Sequence, residues 1–278
     1  MPWLQVYASG LGQSLGDSLV TSEPFYTTED VWYVYSATGV DAAAPNGRSP
    51  AKPFATLGYA ISASAVNDVI VLMDGHAETL TSAVVPLVGQ MIIGGGSSGG
   101  KPTVKLTMNA AAAGMFTVSN EHVCIRNIWF NTNAQANTVP TVKVTNRGFR
   151  MKDCYFECGQ YNDNYALELF ANADYASVDG TRFVSTATVL TAQPYTAMGI
   201  TSEELLEQIS MVGSSFDGGT VGFSSGYGLL ATSQTEPLIL ENLSLLRGAD
   251  VSLGQSVICH TAGITSDSSA AIRWDNGA

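Results

Sequence analysis

Charge is what this chain has least of. Asp, Glu, Lys and Arg make up 13% of its 278 residues, about half the share of an ordinary soluble domain. A surface that poor in charge must be covered by Ser, Thr, Asn and Gly, or be buried against partner subunits. The charge that exists leans acidic: 12 Lys and Arg stand against 24 Asp and Glu, a net −12. No basic stripe is there to release counterions from a phosphate backbone, so the composition argues against nucleic acid as a partner and, for the same reason, against an anionic membrane. Cysteine is sparse too. Cys124, Cys154, Cys158 and Cys259 are too few for a disulfide framework at this length. The CxxxC of Cys154 and Cys158 has neither redox nor zinc spacing, and free thiols are expected. No apolar run reaches the ~20 residues of a membrane span. Residues 1–20, MPWLQVYASGLGQSLGDSLV, lack a basic n-region and an unbroken apolar h-region, so no signal peptide is expected.

Helical periodicity is equally rare. FATLGYAISASAV (54–66) puts Leu57, Ala60, Ile61 and Ser64 on one face, which predicts a short amphipathic helix with Thr56 or Ser62 as a local cap. TSEELLEQ (201–208), with Thr201 or Ser202 as N-cap and acids in the first turn, predicts one or two helical turns.

In place of helices the chain has repetition. NIWF (127–130), DCYF (153–156), GTRF (180–183) and GSSF (213–216) each open on Asn, Asp or Gly and close on Phe. Taking Phe130, Phe156, Phe183 and Phe216 as anchors, with Leu245 as a fifth, aligns three upstream columns. Seven residues before stand Val123, Phe149, Ala176, Ile209 and Leu238; five before stand Ile125, Met151, Val178, Met211 and Leu240. Three before stand Asn127, Asp153, Gly180, Gly213 and Asn242. Apolar residues two apart face one side of a strand. Asn, Asp and Gly enter left-handed backbone at least cost, so the chain turns there. Anchor spacings of 26, 27, 33 and 29 residues describe one coil of a solenoid with a loop of variable length. A further apolar stretch lies upstream of each bend: GMFTVSN, PTVKVTN, YALELFANA, YTAMGIT and YGLLATS. The expected fold is therefore all-β, a parallel β-helix with three short strands per coil stacked at roughly 4.8 Å.

The stretch NGRSPAKPFATLGYAISASAVNDVIVLMDGHAET (46–79) resembles the entry segment of pectin-lyase-like right-handed parallel β-helix proteins. The matching features are the Gly-Ser-Pro loop, the box Pro53-Phe54-Ala55-Thr56-Leu57, a short helix and a first rung, DVIVLMDG. The resemblance covers about 46–260. It implies a right-handed winding and a helix over 46–66 acting as a lid on the open end of the barrel. An uncapped solenoid end is an apolar patch with open strand edges, so a lid has its own physical reason. Residues 46–278 are thus expected to form the β-helix domain and residues 1–45 an N-terminal arm, with DVWYVYSATG (30–39) as a strand leading in.

Catalytic signatures of the family's hydrolases, Asn-Thr-Asp, Asp-Asp and Gly-His-Gly, are absent from the sequence. The column four residues before the anchors, Arg126, Lys152, Asp179, Val212 and Glu241, is the most lyase-like. Its outward charges form either a solvated ladder with opposite-sign pairing or the remnant of a catalytic site. One residue before the anchors stand Trp129, Tyr155 and Arg182, a column suited to a glycan or a subunit interface, or to packing against a long loop. Asn162, Asp163, Asn164 and Glu168 offer oxygen ligands without the spacing of a calcium loop. Glu203, Glu204 and Glu207 read as the polar face of the short helix. His76, His122 and His260 lie far apart without metal-site spacing, so no metal or other cofactor is expected. GGGSSGG (94–100) has no Lys-Ser/Thr after it and reads as a flexible loop.

The resemblance, taken with the low charge, points to a non-enzymatic virion structural protein of a tailed bacteriophage. A capsid decoration protein or a head or tail fibre component, made in the host cytoplasm and carried on the virion surface, fits best. Short phage β-helices of this kind imply a homotrimer whose partners are other virion proteins, such as the major capsid protein or tail proteins, with a surface glycan as a further ligand. The competing expectation is a polysaccharide lyase or hydrolase, a tailspike-like depolymerase working along one face through Arg126, Lys152, Asp179 and Glu241.

Overall fold

Short runs of alternating apolar and polar residues, broken by residues tolerant of left-handed backbone, dictate short strands joined at abrupt corners. The computed structural model describes residues 30–43, 46–108, 115–132, 140–159, 165–188, 196–201, 206–223, 225–231, 235–253, 257–267 and 269–274. Almost every element among them is a strand. A nine-stranded sheet, sheet 1, runs from Val31–Val34 through Val69–Leu72, Met91–Gly94 and Cys124–Arg126 to Val257–Ala262. Sheet 2 has eight strands, from Ala77–Leu80 to Thr265–Ser266, and sheet 3 has seven, from Phe116–Val118 to Ile272–Trp274. Neighbours within each sheet come from successive coils and pair in parallel. The chain visits sheets 1, 2 and 3 in turn. This is a right-handed parallel β-helix with three strands per coil.

The anchor column stacks as its spacing predicts. Phe130, Phe156, Phe183, Phe216 and Leu245 are register partners in sheet 2, and all are fully buried. Their rings lie nearly parallel, with centroids 4.7, 4.8 and 5.1 Å apart, while Phe116 of sheet 3 meets Phe130 edge-on at 5.7 Å. Ile125, Met151, Val178, Met211 and Leu240 stack likewise in sheet 1. The bend column is left-handed throughout: Asn127, Asp153, Gly180, Gly213 and Asn242 have φ of 53, 53, 57, 64 and 52°. Each of their N–H groups donates to a carbonyl of the next coil, from Asn127 to Lys152 (3.0 Å) through Asn242 to Ala262 (2.8 Å). The corner keeps the ladder satisfied instead of breaking it.

A second left-handed column escapes sequence reading. Asn67, Gly89, His122, Gly148 and Tyr175 (φ 57–73°) line the corner leading into sheet 1, and Gln208 (φ 50°) continues the column inside the strand Leu206–Val212. Their N–H groups bond Val88, Glu121, Arg147, Asp174 and Glu207 in succession along the first five. His, Tyr and Gln at half of these positions carry no turn signature; the ladder imposes the conformation.

The lid forms where expected, as helix α1 (Leu57–Ala63). Thr56 is its N-cap, accepting from the Tyr59 N–H, and Asp41 in turn accepts from the Ala55 and Thr56 N–H groups. Ser62 is not a cap; its hydroxyl donates to the Tyr59 carbonyl, and Ser64 closes the helix. Leu57, Ala60 and Ile61 are buried over the barrel end.

Three expectations change. The strand read over 30–39 is Val31–Val34, and it is the outermost strand of sheet 1, paired with Val69–Leu72. The helical turns predicted at 201–208 are not found in their described part. Leu206–Val212 is a seven-residue strand with Leu206, Ile209 and Met211 buried, because pairing on both sides outweighs local helix propensity. Residues 202–205, with Glu203 and Glu204, lie outside the described residues. The glycine-rich stretch at 94–100 is no plain loop: Ser97–Ser98 pairs antiparallel with Lys101–Pro102. Gly99 and Gly100, both at positive φ, make its two-residue hairpin turn.

Candidate binding ledge on the second sheet

The strand pleat sends the residue before each anchor outward. On sheet 2 this places Lys105, Trp129, Tyr155 and Arg182 in one register column. Trp129 and Tyr155 meet edge to face at 6.5 Å. The 97–102 hairpin then folds over them and lays the Lys101 ammonium 3.3 Å from the Trp129 ring centroid and 4.3 Å from that of Tyr155. Lys105 Nζ approaches the same indole at 4.3 Å, and the Arg182 guanidinium stands 5.7 Å from the Tyr155 ring. Lys101 is tied down by Glu157 Oε2 at 3.0 Å. Burial, then the Glu157 carboxylate, pushes the Tyr155 phenol above its ordinary pKa.

The two rings are therefore half-buried and already carry a cation on their faces. An open stacking platform for a neutral sugar is not what they form. Three cations outnumber the carboxylates that act on Tyr155, Glu157 and the Arg247-paired Asp217, and on a chain of net −12 they make a local basic ledge. Chemically it suits acidic groups met separately by Lys105 and Arg182, which stand three strands apart, with ring edges supplying apolar contact. Of this set, the sequence reading found Trp129, Tyr155 and Arg182. Lys105 was reachable, because Leu106 is the register partner of Phe130 and extends the repeat one coil upstream. Lys101 was not, since only the hairpin brings it there.

Arg126, Lys152, Asp179, Val212 and Glu241 do form one register column, on the outer face of sheet 1. Arg126 is only 7% exposed, and its guanidinium lies 3.3 Å from Asp153 Oδ2. Asp179 and Glu241 are two strands apart with Val212 between them, a backbone separation of about 9.6 Å.

The remaining candidates are dispersed. Glu168 is buried in sheet 3, accepting from the Thr201 hydroxyl at 2.7 Å and facing Lys143 Nζ at 3.5 Å. Asn162, Asp163 and Asn164 lie outside the described residues. Glu207 sits on a strand, where the Tyr175 hydroxyl donates to it at 2.5 Å. His76 is fully buried; its Nδ1 accepts from the Ser36 N–H and its Nε2 meets Glu78, whose Oε2 also accepts from the first N–H of α1. That network fastens the lid to the first coil. His122 occupies the second bend column, and the side chain of His260 is outside the described set. Among the described residues, no group of three or more His, Cys, Asp or Glu side chains comes together as a metal site. Cys124, Cys154 and Cys158 are free and buried. Burial raises the first thiol to about 11 and the other two to about 12, which makes them poor nucleophiles.

No family model matches the chain, and no curated protein matches its sequence. Among solved structures the chain is similar to the 1.7 Å crystal structure of jun a 1, the major allergen from cedar pollen. Identity is 8% over 89% of this chain and 80% of that one, with a TM-score of 0.43. The β-helix assignment stands on the strand pairing itself.

Proposed function

We propose that the chain is a non-enzymatic structural module of a tailed-bacteriophage virion, of the capsid-decoration or head- or tail-fibre type. It works as a homotrimer on the virion surface, and the sheet 2 ledge is its contact face. The observation that carries this reading is the state of the charges. Lys101, Lys105 and Arg182 are gathered on one flat face over two aromatic rings, as suits contact with an acidic surface. Arg126, which a lyase would use as its base, is engaged with Asp153 below the surface. The partners are neighbouring virion proteins, such as the major capsid protein or tail proteins, with a surface glycan as a further ligand.

The test combines mass in solution with co-sedimentation on virus particles lacking the protein. A trimer is expected, with particle binding reduced tenfold or more in Lys105→Glu/Arg182→Glu and unchanged melting. A monomer that depolymerises an acidic polysaccharide, with turnover abolished in Arg126→Ala, would overturn the proposal in favour of a lyase.

A further inference from the structure

The outer face of sheet 1 changes character along the solenoid axis. One outward column runs Val31, Val69, Met91, Cys124 and then Arg150. The other runs Tyr33, Val71, Ile93 and then Arg126 and Lys152. Outward residues on a sheet with one core-facing side are expected to be polar, as Ser177, Asp179 and Ser210 are further on. In the first coils they are apolar, and they are also sheltered: Val71, Met91, Ile93 and Cys124 are 5, 7, 3 and 7% exposed. Met91, Ile93 and Cys124, with Val69 against them, form a hydrophobic cluster separate from the barrel core. No helix or strand among the described residues packs across this face; α1 meets the first strands at the barrel end, with its buried side chains in the core.

We propose that residues 1–29 of the same chain dock across this outer face, their apolar side chains over the Val69–Met91–Cys124 cluster and their acids toward the cations beyond it. Position, composition and length all support that occupant. The segment ends at the residue before Asp30, and Val31 then enters the outermost strand of this very sheet. It contains Trp3, Leu11, Leu15, Leu19 and Phe25 among its apolar residues. Its charges are Asp17, Glu23 and Glu29, with no Lys or Arg, opposite in sign to the border of Arg150 and Lys152 beyond the cluster. Extended, 29 residues reach about 96 Å. From the first strand to the Arg150 strand is four strand spacings, about 19 Å. Docking within one chain needs no borrowed arm. The inference stands apart from the virion reading and survives its failure.

Cys124 reports directly on the shelter, while Cys154 and Cys158 inside the barrel report on the fold. The experiment labels thiols with iodoacetamide in the full chain carrying Cys259→Ser, with and without Leu11→Ser, Leu15→Ser, Leu19→Ser and Phe25→Ser. Cys124 should label at least tenfold faster in the substituted chain while Cys154 and Cys158 stay protected. An unchanged Cys124 rate overturns the proposal. So does protection of Cys124 that is lost on dilution, which assigns the shelter to a second copy. Independently of any apolar substitution, zero-length carbodiimide coupling of the unsubstituted chain should join Lys152 to Asp17, Glu23 or Glu29. Absence of that product on peptide mapping counts against docking.

Discussion

The interior ring stack gives the most exacting test of how this solenoid is held. Phe183 lies between Phe156 and Phe216, at 4.8 and 5.1 Å, whereas Phe216 has Phe183 on one side and Leu245 on the other. Both are fully buried, so burial alone predicts equal sensitivity. Ring geometry predicts otherwise. Each aromatic pair contributes about 0.5–1.5 kcal/mol beyond its area. Phe183→Leu therefore forfeits about 1–3 kcal/mol and Phe216→Leu about half of that. Phe183→Ala adds a cavity and costs about 4–6 kcal/mol in all, a large fraction of the ~5–15 kcal/mol that holds a domain. The leucine pair is for that reason the better measurement. Equilibrium urea unfolding followed by far-UV circular dichroism, with m unchanged, reads the difference from the midpoints. Equal losses at 183 and 216 would refute the ring argument and leave undirected hydrophobic burial as the only force in the column.

Three more predictions come from the corners, the thiols and the lid. At Gly213, φ is +64° and an added Cβ meets nothing within 4 Å, so Gly213→Ala should cost only the left-handed strain, about 1–2 kcal/mol. At Gly180 a Cβ would stand 2.7 Å from Asp153 Oδ1, the carboxylate that holds Arg126, so Gly180→Ala should lose measurably more in the same melts. Because Cys124, Cys154 and Cys158 are raised to about 11, 12 and 12 from 9.0, their protonated forms belong to the folded state. Their contribution is complete below pH 9 and is lost as pH rises toward 11–12, at up to about 1.4 kcal/mol per pH unit for each thiol. Unfolding at pH 8, 9.5 and 10.5 should show that decline, and Cys158→Ala should make it shallower. Glu78→Gln removes the carboxylate at the first N–H of α1 and beside His76; a loss of about 1 kcal/mol should appear as faster amide exchange confined to 57–63.

What the sequence disclosed follows from which constraints act on every coil. An inward position sees the same barrel interior at each turn, so Phe130, Phe156, Phe183 and Phe216 recur in phase and can be aligned by eye. The corner after sheet 1 must be left-handed at each turn, and there Asn, Asp and Gly advertise it. The corner before sheet 1 has the same backbone, yet His122 and Tyr175 hold it, because ladder hydrogen bonds on either side supply what residue preference does not. Leu206–Val212 shows the converse. Local acids and a capping serine imitate a helix start, but a strand between two parallel neighbours gains more. Outward positions obey no such recurrence. Trp129, Tyr155 and Arg182 were visible as neighbours in a column, but their covering by Lys101 depends on a hairpin whose direction no periodicity encodes.

The distribution of cations ties the outward faces together. Of 12 Lys and Arg in the chain, six are Lys101, Lys105 and Arg182 at the sheet 2 ledge and Arg126, Arg150 and Lys152 on sheet 1. The two groups flank the corner made by Asn127, Asp153 and Gly180, so half of the positive charge is gathered around one edge of the solenoid's first half. On the proposed function, the Lys105 and Arg182 side of that edge is where an acidic partner meets attraction instead of repulsion in a chain of net −12, while Arg150 and Lys152 face the proposed arm. The opposite arrangement, with cations scattered evenly, would lower self-repulsion more effectively but would favour no direction of approach. Arg126 and Lys101 spend their charge on Asp153 and Glu157, which rigidifies the edge. Lys105 and Arg182 stand on the outward column of sheet 2, on coils held by parallel ladder bonds and, from Phe130 to Phe216, by stacked rings. If the sheet 2 ledge is the contact face proposed above, its shape is set before a partner arrives, and affinity would be governed by complementarity of charge more than by the cost of ordering.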